Sequence, residues 1–119
     1  MLQIVLYLFF AATLSAQVAT LTGRVTDSTG AVIPQAKITA TATNTGVASS
    51  TETTSEGYYT LPSLAPGSYE VTIAKQGFST VRQSGIELAV QQTARVDVIL
   101  QVGALAETVE VRGQATLLE

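Results

Sequence analysis

The chain has 119 residues, 46% of them hydrophobic and 13% charged, and it contains no Cys, His or Trp. That length fits one domain. Six Lys and Arg against nine Asp and Glu leave a formal charge of −3, so there is no basic surplus to neutralise a phosphate backbone and no nucleic-acid partner is expected. Without Cys there are no disulfides, thiolate nucleophiles or zinc knuckles. Without His the commonest general base and metal ligand are gone. The composition removes most, though not all, of the usual catalytic chemistry, and the chain is read as a non-catalytic module with no cofactor.

The chain opens with a targeting pattern. No Asp, Glu, Lys or Arg precedes Arg24, and residues 2–14 are almost wholly apolar. A membrane span needs roughly 20 apolar residues, whereas a run of this length suits the core of a signal peptide. Small residues Ser15 and Ala16 follow, so residues 1–16 read as a signal peptide cleaved after Ala16. A short anchor or a buried strand is the alternative. Such a signal implies export.

From Thr20 onward the pattern has period two. Leu21, Gly23 and Val25 alternate with Thr22, Arg24 and Thr26, and Ile38, Ala40 and Ala42 alternate with Thr39, Thr41 and Thr43. Tyr69, Val71 and Ile73 repeat the pattern, as do Val96, Val98 and Leu100. Strict alternation puts one set of side chains on a buried face and the other toward water. Strands are expected over 20–27, 36–43, 47–54, 57–62, 68–75, 78–82, 86–90 and 93–101, with a last short one over 108–111. Turns are expected at Asp27 to Gly30, Asn44 to Gly46, Ser55 to Gly57, Gln76-Gly77 and Ser84-Gly85, because Gly supplies the positive φ that turns need. Pro66-Gly67 suits the centre of a type II turn, and Pro34 suits the start of the second strand. The polar stretch Ala48 to Ser55 reads as a solvated edge strand. Val25, Ile38, Tyr59, Leu61, Tyr69, Val71, Ile73, Val96, Val98 and Leu100 share the buried phase. Many short strands with regular turns indicate an all-β sandwich.

The turn motifs add a resemblance. Gly23-Arg24-Val25-Thr26-Asp27 leads to a Gly30 turn and then to Ile33-Pro34-Gln35-Ala36-Lys37-Ile38. Gly57-Tyr58-Tyr59-Thr60-Leu61 precedes Leu64-Ala65-Pro66-Gly67-Ser68-Tyr69-Glu70-Val71, and Gln76-Gly77-Phe78 follows. These motifs resemble the carboxypeptidase regulatory-like domain. The resemblance implies a seven- to eight-stranded transthyretin (prealbumin)-like β-sandwich over 17–103, of a fold grouped with carbohydrate-binding modules. It carries no zinc chemistry, which in the carboxypeptidases sits in another domain.

Residues 104–119 read as a linker or the start of a following plug domain. The order of signal, sandwich and Glu107-Thr108-Val109-Glu110-Val111 resembles the N-terminal architecture of Oar-like TonB-dependent outer-membrane receptors. By that resemblance Glu107, Thr108, Val109, Glu110 and Val111 look like a Ton box, which pairs with the energy-coupling protein TonB by strand addition. The plainer alternative is an edge strand. The implied function is the N-terminal extension of a TonB-dependent transporter in the periplasm or outer membrane of a Gram-negative bacterium, touching the membrane only through a barrel lying outside this chain. A carbohydrate-binding accessory module is the second reading, with exposed Tyr58, next to Tyr59, as the candidate stacking residue. Asp27, Glu52, Glu56 and Asp97 lack the spacing of a calcium loop.

Overall fold

The alternating segments pair as two facing sheets. The structure is a computed structural model; it describes residues 17–103 and the backbone course of 108–112 and 116–118. The expected signal peptide, 1–16, lies outside the described residues. The strands are β1 (Ala19–Asp27), β2 (Lys37–Ala42), β3 (Ala48–Glu52), β4 (Tyr58–Leu64), β5 (Gly67–Ala74), β6 (Thr80–Leu88), β7 (Thr93–Arg95), β8 (Val98–Leu100), β9 (Thr108–Arg112) and β10 (Thr116–Leu118). One sheet runs β10-β7-β1-β4, with β8 also beside β1; the other runs β3-β2-β5-β6-β9. The fold is an all-β sandwich, and residues 17–103 supply eight of its strands.

All ten residues assigned to the inner phase are buried, Ile38, Val71 and Ile73 completely. Their burial supplies the hydrophobic driving force for folding. Ile73 faces Ile38 on β2 and Val81 on β6. Ile73→Ala leaves a cavity in this centre and is expected to lower stability by about 3 kcal/mol, read from the urea midpoint. The polar stretch at 48–52 does form an edge strand, paired only with β2 among the described residues.

Five local expectations are corrected. In place of two strands over 78–82 and 86–90 there is one, β6, over Thr80–Leu88. Ser84-Gly85 is a bulge, not a turn: Tyr69 pairs with Ile86 and Val71 with Gln83, so β6 holds one extra residue, and Gly85 has φ 76°. A bulge shifts the alternation by one place, which made one strand read as two. Conversely, 93–101 divides into β7 and β8, both parallel to β1. Pro34 stands in a turn ahead of β2, next to Gln35 with φ 56°. Pro66 is a bend residue, and Gly67, with φ 144°, already begins β5. The Tyr69 hydroxyl closes that bend by donating to the Ala65 carbonyl at 2.5 Å.

Thr53, 4% exposed, ties the loop before β2 to the body. Its hydroxyl donates to the Ile33 carbonyl at 2.6 Å and accepts the Ala36 N–H at 2.8 Å. Thr53→Val keeps the shape but strands both backbone groups. It is expected to cost about 2 kcal/mol, measured by thermal unfolding.

Candidate functional site

The C-terminal strand is where the sequence placed its partner site. Thr108 to Val111 lie in β9, which runs parallel to β6 with Thr80 paired to Thr108, Val81 to Val109, Arg82 to Glu110, Gln83 to Val111 and Ser84 to Arg112. Glu107 lies outside the described residues. The described pairing reaches Ser84, the residue before the Gly85 bulge. Among the described residues β9 is the outermost strand of its sheet. β10, which the sequence pattern did not suggest, pairs antiparallel with β7 in the other sheet.

A cleft of about 220 Å³ opens between β6 and β8, lined by Ser79, Val81, Gln83, Asp97, Ile99 and Gln101. Its carboxylate is committed elsewhere. Both oxygens of Asp97 lie 3.0 Å from Arg95 Nε, and Oδ1 also accepts the Arg24 N–H at 2.9 Å. The polar lining residues come from two separate segments, 79–83 and 97–101, so no local pattern could have announced them.

The two neighbouring tyrosines face opposite ways. Tyr58 is 40% exposed on the outer surface, and the Arg24 guanidinium sits over its ring, 5.1 Å from the centroid. Such a contact is a cation–π interaction. Tyr59 points the other way and is buried. Its hydroxyl donates to the Val96 carbonyl at 2.6 Å, and burial, aided by the Asp97 charge, pushes the phenol far above its usual range.

That bond belongs to a larger arrangement. In a parallel ladder the Arg24 N–H would bond the Val96 carbonyl. Instead it bonds the Asp97 carboxylate, and the carbonyl turns inward to Tyr59. Gly23 lies against this carbonyl, since a Cβ there would stand 1.9 Å from the Val96 oxygen.

The acidic residues do not converge. Asp27 Oδ1 accepts the Thr29 hydroxyl and the N–H groups of Thr29 and Ala31. The Thr29 hydroxyl bond is the largest cause holding its carboxyl below the usual value. Glu52 stands opposite Lys37 on the β3 edge. Among the described residues no three acidic side chains group as a metal would require.

The match to known proteins agrees with this frame. The sequence profile of the carboxypeptidase regulatory-like domain matches residues 20–101. The chain belongs to this family. The chain is also 35% identical over 100 residues to the TonB-dependent transporter Oar of Myxococcus xanthus, a match spanning 82% of this chain and 9% of the transporter. Solved structures share the sandwich. A putative carbohydrate-binding protein from Bacteroides uniformis aligns with a TM-score of 0.58 at 16% identity, covering 71% of this chain and 41% of that one. The 3-chlorocatechol 1,2-dioxygenase of Rhodococcus opacus aligns at 0.57 and 11% identity, covering 75% and 61%. At such identities the likeness is one of fold, and a fold hosts many functions.

Proposed function

We propose that this regulatory-like domain is a non-catalytic, exported module, the N-terminal extension of a TonB-dependent outer-membrane transporter. Its site is Gram-negative, at the periplasm or outer membrane. The observation that carries the reading is the identity to the transporter Oar across most of the sandwich. In this reading residues 1–16 are a removed signal, 17–103 the sandwich, and 104–119 the connection toward a plug. Glu107 to Val111 act as a Ton box, with Val109 and Val111 in one phase of the strand and Thr108 and Glu110 in the other.

Titration of the isotope-labelled exported chain with a TonB C-terminal domain, followed by NMR, tests the proposal. Amide shifts concentrated at 108–112 are expected. Unperturbed amides there overturn the Ton-box assignment. Downstream of codon 119 the natural gene should encode a plug and a barrel of alternating strands about ten residues long; a hydrolase domain would instead favour an accessory role. Carbohydrate binding is the weaker reading, because Arg24 already covers the Tyr58 ring that a sugar would use. Shifts at Tyr58 on adding oligosaccharide would revive it.

A further inference from the structure

The sandwich anchors the approach to β1 only as far as Val18. The Gln91 N–H donates to the Val18 carbonyl at 2.9 Å, and the Thr20 N–H donates to the Gln92 carbonyl at 2.9 Å. Ala19 pairs with Leu64 on the other side and is buried. Gln17 differs. It is exposed, it precedes β1, and it makes no hydrogen bond among the described residues. Nothing holds its side-chain amide away from its own backbone nitrogen.

We infer that Gln17 is a modification site: once cleavage after Ala16 makes it the first residue, its side chain cyclises onto its own α-amine to give pyroglutamate. This rests on the signal-peptide reading above. The α-amino nitrogen attacks Cδ, and a C–N bond closes a five-membered ring. The Cδ–Nε2 bond breaks, and the side-chain nitrogen leaves as ammonia with the proton that the amine gives up. No oxidant or cofactor is consumed. An α-amine has a pKa of roughly 7.7–8.0, so part of it is unprotonated and nucleophilic at neutral pH. Nucleophile and carbonyl within one residue have the rate advantage of an intramolecular reaction. A buried or hydrogen-bonded Gln17 would first have to give up native contacts, and here none has to break. Every later glutamine keeps its nitrogen in a peptide bond and cannot follow. The product carries no positive charge at its terminus and offers no amine to an aminopeptidase, so the entry to β1 is sealed.

The full chain is expressed with export, recovered from the periplasm, incubated at neutral pH and weighed intact by mass spectrometry. The expected mass is that of residues 17–119 less one ammonia. Edman degradation should be blocked until pyroglutamyl aminopeptidase removes the ring and exposes Val18. Gln17→Asn is the control. Its side chain is one methylene shorter, so closure would need a strained four-membered ring, and it should keep its full mass and an open amine. Full mass and an open amine on a wild-type chain beginning at Gln17 would overturn the inference and leave the cleavage assignment standing. Equal loss of ammonia from Gln17→Asn would also overturn it, because the loss would then come from another amide. A chain beginning at any other residue overturns the cleavage assignment and the inference together, and the mass tells that case from the other two.

Discussion

Gly23→Val is expected to be the most damaging single substitution in the sandwich, costing about 5 kcal/mol, beyond the usual range for point changes. The reason is geometric. A Cβ at this position would stand 1.9 Å from the Val96 carbonyl oxygen, 2.7 Å from its carbon and 2.8 Å from the Tyr59 ring. The carbonyl is backbone and cannot swing away as a flexible side chain would. Relief requires β1 to part from the 95–98 segment, which breaks the Val96 N–H bond to the Thr22 carbonyl, now 2.8 Å. Gly30→Ala is the control. It has nothing within 4 Å of its added Cβ, but its φ is 89°, so it reports backbone strain alone, on the order of 1 kcal/mol. Urea unfolding of both variants separates the causes. A Gly23→Val protein as stable as Gly30→Ala would show that the Val96 carbonyl does not sit on Gly23.

The position of Gly23 in the alternation was visible in sequence, but its reason was not. Leu21, Gly23 and Val25 share the inner phase, and a glycine there reads only as a missing side chain. What fills the space is a carbonyl from the far end of the chain. The Arg24–Asp97 bond joins residues 73 apart, and parallel pairing across such a distance leaves no local trace. The same limit governs the candidate site. The alternation at 108–111 marked a strand, while its choice of β6 as parallel neighbour depends on the assembled sheet. Core membership was legible because it needs only the phase within each strand, and for all ten residues that phase sufficed. It misled at Ser84-Gly85, where a bulge resets the phase and imitates a turn. Asp97 was hidden differently: an acidic residue in an outward phase reads as solvated, yet it stands in for a backbone acceptor.

Tyr59 should show the second large effect, in two separable parts. Tyr59→Ala empties a fully packed aromatic site and is expected to cost about 4 kcal/mol. Tyr59→Phe keeps the ring but leaves the Val96 carbonyl without the hydroxyl that now lies 2.6 Å away. Its Arg24 partner cannot return, being held by Asp97, so the orphaned carbonyl should cost about 2 kcal/mol. Alkali offers an independent reading. The folded-state phenol is raised above its ordinary value of 10.0, first by burial and then by the Asp97 charge. The native state therefore keeps its proton at pH values where the unfolded chain releases it. A group with a raised folded pKa contributes stability that is full below the unfolded pKa and is lost as pH climbs through the interval above it. Stability should accordingly fall as pH rises past about 10, and Tyr59→Phe should flatten that part of the fall which Tyr59 causes. Urea midpoints at pH 8 and pH 11 for wild type and Tyr59→Phe make the comparison. Equal losses between the two pH values in both proteins would mean that the Tyr59 hydroxyl reaches solvent, and the inward turn of the Val96 carbonyl would have to be abandoned.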